Sequence, residues 1–180
     1  MKTKYDKDLY RYYGNDKPIL KVLLNKPLEL KYLKVFRILE CNLPFICKMF
    51  YKYKLNRLMK KTQIQIPIGT KIGEGFYIGH LGRIIINPKS IIGKNVNIAT
   101  GVTIGQENRG QRKGCPIIGN CVWIGTNSVI VGNINIGDDV LIAPLTYVNF
   151  DVPSHSIVIG NPAKIIYREN ATEGYINKKV

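Results

Sequence analysis

From Ile66 onward an aliphatic residue returns at every sixth position. One run is Ile66, Ile72, Ile78 and Ile84. A second is Ile86, Ile92, Ile98 and Ile104, and a third is Ile118, Ile124, Ile130, Ile136, Ile142 and Val148. The next position is often small, as at Gly73, Gly79, Gly93, Ala99, Gly105, Gly119, Gly125, Gly137 and Ala143. A period of six is not helical, because an α-helix returns to one face every 3.6 residues or so. It is a multiple of two, so each aliphatic residue falls on the same face of a strand. The small neighbour suits a crowded backbone corner. Three hexads close a triangular coil of about 18 residues, and stacked coils pair each strand with the one above around an Ile ladder. A β-sandwich would need hairpin turns and less regular spacing. The pattern predicts a mainly β chain with a parallel β-helix over residues 62–168.

The repeat breaks twice. Between Ile84 and Ile86 the register slips by two, and between Ile104 and Ile118 the interval is fourteen instead of six. The eight extra residues lie in GQENRGQRKGCP, residues 105–116, which is polar, Gly-rich and basic. A protruding loop over 105–117 follows, and insertions in a solenoid gather on one face, often the binding face. Residues 1–61 lack the hexad and read as helical from residue 5. In YLKVFRILECNLPFICKMFYKYKLNRLMKK, Pro44 either separates two helices or kinks one. This helical cap is expected to cover the first coil, whose strand edges would otherwise be exposed. Residues 169–180, ending NATEGYINKKV, read as a loose C-terminal tail.

The 180 residues suffice for one domain with a small appendage. The net charge of +15 is uneven, since residues 1–61 hold 16 Lys/Arg against five Asp/Glu. Three readings of that basic segment stay open: a solvated helical face, contact with an anionic membrane surface, or nucleic acid. No nucleic-acid reader motif accompanies it, so no nucleic-acid partner is expected. No uncharged apolar run approaches the roughly 18–20 residues of a membrane span. The stretch Ile38–Phe50 is interrupted by Glu40, Asn42, Pro44 and Lys48. The polar start lacks a signal-peptide core, which predicts a cytoplasmic protein, with the inner face of the membrane as the place where a basic segment would act. Cys41, Cys47, Cys115 and Cys121 form no C-x-x-C pair, so thiols are expected in place of a zinc site.

Only two histidines are present. His80, in YIGHLGRIIIN, is either a base or a polar corner residue. His155, in VPSH, is either catalytic or structural. The stretch GFYIGHLGRIIINPKSIIGKNVNIATGVTIG resembles the serine acetyltransferase family and related O-acetyltransferases of bacterial polysaccharide biosynthesis, which are hexapeptide-repeat acyltransferases. VPSHSIVIGNPAKII, residues 152–166, resembles the loop and final strand that close many of them. The resemblance covers roughly residues 64–168 and implies left-handed coils, against the usual right-handed crossover. It also implies acetyl-CoA as co-substrate, no metal, and a homotrimer with sites between subunits. By the same resemblance His80 falls on the catalytic base, which takes a hydroxyl proton as the thioester is attacked, and the loop of His155 is structural.

Departures from that family bear on the acceptor. The serine enzymes pair their histidine with an acid fifteen positions earlier, where Gln65 stands here, and Gly79 replaces the Asp just before it. Gln65 can orient an imidazole but cannot stabilise imidazolium as a carboxylate does. Glu74, Glu107 or a backbone carbonyl are the other candidates for orienting it. The family's Asp-Arg-His-Pro segment reads Lys113, Gly114, Cys115, Pro116, and a further Arg reads Gly119. The missing carboxylate-recognising set argues against free serine. Asn108, Arg109, Arg112 and Lys113 are acceptor-binding candidates suited to a saccharide; otherwise they form a solvated loop tip. Gly125, Thr126, Ala143 and Pro144 suit close approach by pantetheine as well as corner packing. Lys164 and Arg168 suit the nucleotide phosphates. The expectation is an acetyl-CoA-dependent O-acetyltransferase acting on a saccharide, free or lipid-linked, of a capsule, exopolysaccharide or lipopolysaccharide. Serine O-acetylation for cysteine biosynthesis is the alternative, and a non-catalytic β-helix scaffold is another.

Overall fold

A computed structural model describes residues 3–15 and 26–180. Helix α1 (Lys4–Tyr13) starts at a capping box, in which Thr3 Oγ1 accepts from the Asp6 N–H and Asp6 accepts from the Thr3 N–H. Helix α2 (Leu28–Leu39) follows Pro27, and α3 (Phe45–Thr62) follows Pro44. Pro44 thus separates two helices. Gln63, at φ 60°, ends α3 by donating its N–H to the Met59 carbonyl at 2.8 Å. The part of the helical expectation that falls on residues 16–25 lies outside the described residues.

The chain then winds through five coils. The first holds β1 (Ile64–Gln65), β2 (Lys71–Ile72) and β3 (Tyr77–Ile78), and the second β4 (Ile84–Ile86), β5 (Ile91–Ile92) and β6 (Asn97–Ile98). The third holds β7 (Thr103–Gly105), β8 (Ile117–Ile118) and β9 (Trp123–Ile124), and the fourth β10 (Val129–Val131), β11 (Asn135–Ile136) and β12 (Val140–Ile142). The fifth has β13 (Tyr147–Val148) and β14 (Ser156–Gly160), after which β15 (Ala163–Tyr167) folds back antiparallel on β14. Strands of successive coils pair in parallel into three sheets, β1-β4-β7-β10-β13, β2-β5-β8-β11 and β3-β6-β9-β12-β14-β15. The three sheets are the sides of a triangular prism.

The hexad isoleucines sit opposite one another in register, as in Ile72–Ile92–Ile118–Ile136 and Ile78–Ile98–Ile124–Ile142. All are buried. At one corner Gly73, Gly93, Gly119 and Gly137 stack so closely that a Cβ on Gly73 would lie 2.5 Å from the backbone of Gly93. That contact explains the glycine at this corner, whereas a Cβ on Gly79, at another, would meet nothing nearer than 3.7 Å. Ile84 and Ile86 lie in one strand, β4, so the two extra residues sit at the corner between β3 and β4 and the eight-residue insert at that between β7 and β8, and neither disturbs the ladder.

The first coil has no strand beneath it, and side chains of the helices take that place. Tyr32 Oη donates to the Ile66 carbonyl and accepts from the Ile66 N–H, both at 3.1 Å. Tyr12 Oη does the same for Ile78, both at 2.9 Å. Asp8 accepts from the Phe76 N–H at 2.9 Å and from Arg37 Nε at 2.7 Å. Arg37 also donates to the carbonyls of Ile72 at 2.9 Å and Gly73 at 2.6 Å, and Arg11 to that of Gly75 at 3.1 Å. Asp8, Arg11 and Arg37 are all buried. Two of the basic residues counted in the N-terminal segment are therefore structural and fit none of the three readings of its charge.

The C-terminal segment is not loose, contrary to its polar composition. Asp139 accepts from the Ala171 N–H at 2.9 Å, the Thr172 N–H at 3.0 Å and Thr172 Oγ1 at 2.6 Å. It also lies 3.0 Å from His155 Nδ1. Ala171, Thr172 and Ile176 are buried, and Tyr175 packs edge-on to Trp123. The segment then reaches the cap, where Arg11 Nε donates to the Asn177 carbonyl and Asn95 pairs with the backbone of Val180. Burial alone would raise the Asp139 carboxyl, but the hydrogen bonds from Thr172, His155 and Ala171 outweigh it and hold it below the ordinary range.

Two outcomes follow. Asp8→Ala leaves the buried Arg37 with only the part-exposed Glu40, 3.2 Å away, as a carboxylate partner and should cost about 3 kcal/mol of stability, the lower end for a broken buried pair, while Asp8→Asn, which keeps an acceptor for Phe76, should lose less. Urea unfolding followed by circular dichroism reads both, and a loss below about 1 kcal/mol for the alanine variant would sink the role assigned to the pair. For Asp139 the depressed folded-state pKa means its contribution is present above the unfolded value of about 3.9 and is lost as pH falls through the folded one. Amide exchange at Ala171 and Thr172 should rise below about pH 4, and Asp139→Asn, which tolerates the positive φ of 54°, should raise it already at neutral pH.

Candidate functional site

His80 lies at the corner between β3 and β4. It is exposed, and its ring makes no hydrogen bond to any described residue. The corner rests on the end of α3, since the Gly82 N–H donates to the Thr62 carbonyl and the Ile84 N–H to the Gln63 carbonyl, each at 3.2 Å. The imidazole is thus carried by a rigid junction of helix and solenoid while its faces stay open to a ligand.

The same edge of the prism carries most of the residues proposed for acetyl-CoA. Gly125 and Thr126 stand at this corner two coils on, Ala143 and Pro144 three coils on. Strand spacings of about 4.8 Å put them roughly 10 and 14 Å from the level of His80. Gly125 has a packing role of its own, because a Cβ there would lie 2.6 Å from the Pro144 nitrogen and 2.8 Å from the Ile142 carbonyl oxygen. Lys164 pairs with Ile159 at the end of β14 that meets this edge. Arg168 does not share it: its N–H donates to the His155 carbonyl at 2.8 Å, at the opposite end of β15. The sequence pairing of Lys164 with Arg168 as one phosphate site is therefore split, because a strand separates them.

None of the proposed orienting groups contacts His80. Gln65 is exposed on the outer face of β1, in register with Ile85. Glu74 is engaged elsewhere, 2.6 Å from Lys7 and 3.1 Å from Lys94. Hydrogen bonds from those two lysines hold its carboxyl below the ordinary range. Glu107 belongs to the inserted loop. There it forms a backbone bridge with Gly114, and one of its carboxylate oxygens is buried without a hydrogen-bond partner.

The loop is a small hairpin closed by that bridge, with Asn108, Arg109, Arg112 and Lys113 exposed around its tip. It rises between β7 and β8, which is a different edge of the prism from that of His80. One side of the prism, a hexad of strand and corner up to about 20 Å long, separates the two. Within one chain the structure does not bring the acceptor candidates to His80. Cys115, beside the loop, is no activated nucleophile, since burial pushes its thiol up. His155 is held by Asp139 as part of the tail fastening. Among the described residues no group of three or more His, Cys, Asp or Glu could hold a metal ion.

One feature of the packing of α3 on β1 was not legible in the sequence. A cavity of about 440 Å³ lies between α3 and β1, lined by Tyr53, Asn56, Arg57, Met59, Lys60 and Gln65. Its α3 residues read in sequence as part of a cap. Only the return of β1 along the helix brings them next to Gln65.

No protein-family model matches the chain. It is 38% identical over 111 residues to serine acetyltransferase 2 of Arabidopsis thaliana, spanning 62% of this chain and 34% of that protein. It is 37% identical over 108 residues to the serine acetyltransferase of Helicobacter pylori, spanning 60% of this chain and 63% of that one. The chain thus covers less than two thirds of these curated relatives. The serine acetyltransferase of Neisseria gonorrhoeae superposes with a TM-score of 0.74 at 28% identity, over 92% of this chain and 66% of that one. The chain resembles hexapeptide-repeat acyltransferases, and its fold is their left-handed parallel β-helix with a short helical N-terminal segment.

Proposed function

We propose that this protein transfers the acetyl group of acetyl-CoA to a hydroxyl, with serine as the acceptor and His80 as general base. The observation that carries the reading is the edge that joins an open His80 to a column of small residues, in a chain similar to serine acetyltransferases. This reverses the order expected from the loop, which put a saccharide ahead of serine. His80 takes the proton from the acceptor hydroxyl as its oxygen attacks the thioester carbonyl carbon. The C–S bond then breaks, and the proton passes to the leaving thiolate, giving the acetyl ester and free CoA. Such a base contributes about 10²–10⁴ in rate. Gly125, Thr126, Ala143, Pro144 and Lys164 would line the acetyl-CoA groove. Gln65 would orient the acceptor or the imidazole through a bound ligand.

A homotrimer, which the resemblance implies, suits the separation of His80 and the loop. A site that uses both needs the His80 edge of one protomer against the loop edge of the next, which gives Asn108, Arg109, Arg112 and Lys113 a role in acceptor binding. The four free cysteines and the use of acetyl-CoA fit a cytoplasmic enzyme. Among the described residues no helix is long and apolar enough to cross a membrane. Contact with an anionic membrane surface draws support from the outward face of α3, where Phe45, Ile46, Met49 and Phe50 are 51–81% exposed beside Lys48 and Lys54. Flotation with phosphatidylglycerol vesicles, absent with neutral ones and lost in Phe45→Ser/Ile46→Ser, is the expected result; no flotation would remove this contact.

A second reading, a saccharide hydroxyl as acceptor, is favoured by one observation. Gly114, Cys115 and Gly119 stand where the resemblance leads one to expect the carboxylate-recognising groups. Release of free thiol from acetyl-CoA, with serine and with mono- and oligosaccharides, separates the two. Serine-dependent turnover that falls by about a hundredfold or more in His80→Ala is the expected outcome. Turnover with sugars alone would select the second reading, and failure to bind acetyl-CoA would leave a non-catalytic scaffold.

A further inference from the structure

We infer that Arg57 and Lys60 of α3 hold an anionic group on the acceptor, a carboxylate or phosphate close to the reacting hydroxyl. This rests on acetyl transfer to a hydroxyl at His80 and names the acceptor's second point of recognition.

Placement comes first. Lys60 lies two residues before Thr62, whose carbonyl accepts from Gly82, and His80 lies two residues before Gly82. Adding helix rise, one hydrogen bond and two extended residues, the Cα atoms of Lys60 and His80 are no more than about 20 Å apart. Lys60 lines the cavity together with Gln65 of β1, the strand that leads into the coil carrying His80. The cavity between α3 and β1, about 440 Å³, falls within the range of small-molecule sites.

Charge points the same way. Helix α3 carries Lys48, Lys52, Lys54, Arg57, Lys60 and Lys61 and no Asp or Glu. Among the described residues neither Arg57 nor Lys60 has a carboxylate partner. The Arg57 guanidinium is steadied by Tyr53, with Nη1 3.3 Å from Tyr53 Oη and Cζ 6.0 Å from the ring centre. Its fork is thereby pre-set for a carboxylate or phosphate. Asn56 and Gln65 supply neutral donors and acceptors for the rest of the ligand. A lysine in the last turn of a helix also offsets the helix dipole. Lys61 does that equally, from the same turn, without lining the cavity. It is the natural control.

The test is steady-state kinetics of the full chain with serine and serinamide, and with glucuronate and glucose. The double variant Arg57→Gln/Lys60→Gln is compared with Lys61→Gln. The double variant should raise KM tenfold or more for the carboxylate-bearing acceptor of whichever pair is used. The KM for acetyl-CoA and turnover of the uncharged partner should stay unchanged, and Lys61→Gln should behave as the parent. The productive pair tells whether the carboxylate belongs to an amino acid or an acidic sugar. An unchanged KM, or an equal rise with the uncharged acceptor or in Lys61→Gln, overturns the subsite. If nothing turns over, the transfer reading fails by itself, and calorimetry of serine and glucuronate decides the subsite. Binding lost in the double variant alone keeps it, and no binding to the parent removes it.

Discussion

A stacked β-helix has an end, and the backbone N–H and C=O groups of its first coil point at nothing unless another part of the chain meets them. That requirement shapes the N-terminal third of this protein. Asp8, Arg11, Tyr12, Tyr32 and Arg37 take up the free edge of the first coil bond by bond. Each buried group left unpaired would cost about 1–3 kcal/mol. A strand added from another chain would satisfy the same edge, so the cap also prevents end-to-end stacking of copies. Charged groups suit the task because guanidinium and carboxylate each reach several backbone groups at once. Arg37 can be buried because Asp8 and Glu40 pair with it, and Arg11 because the carbonyls of Gly75 and Asn177 and the Asn97 amide oxygen accept from it.

Above the cap, each coil is templated by the one beneath it. The ladder tolerates corners of different length: Ile86 pairs with Ile104, eighteen residues on, whereas Ile92 pairs with Ile118, twenty-six residues on. Variation can therefore collect at the edges without disturbing the interior, and the proposed site lies on one of them. The His80 corner is held by hydrogen bonds to the last residues of α3, so the cap and the site share a support. The C-terminal segment closes the circuit by running from Asp139 back to Arg11 and Asn95.

The solenoid was legible because its signal is local and repeated. One aliphatic residue in six, followed by a small one, states both the strand face and the corner. His80 was singled out by resemblance and by its place beside the register slip, and its role as base remains the proposal. The cap contacts were not legible, because Arg11 and Arg37 look in sequence like any surface cation; only the free edge of a coil assembled from residues 64–78 gives them partners. The C-terminal segment misled for the same reason. NATEGYINKKV is polar, and its order comes from partners far away in the sequence: Asp139, Trp123, Asn95 and Arg11. The cavity beside Gln65 needs a helix and a strand to run side by side, which no spacing within either reveals.

The loop and the cap bear jointly on the acceptor. A serine-like acceptor needs its carboxylate held as its hydroxyl meets the base, since a site that leaves a buried charge unpaired discriminates against it. The inserted loop has lost its matching cation positions to Gly114, Cys115 and Gly119, yet the net charge of the chain is strongly positive, with α3 among its most basic elements. A recognition charge need not stay on one element when another basic element lies near the proposed site. What must be conserved is its distance from the base, and the α3–β1 junction that supports the His80 corner sets that distance. The similarity to serine acetyltransferases and the altered loop are then compatible, if α3 holds the carboxylate while the loop keeps its proposed contacts with the rest of the acceptor.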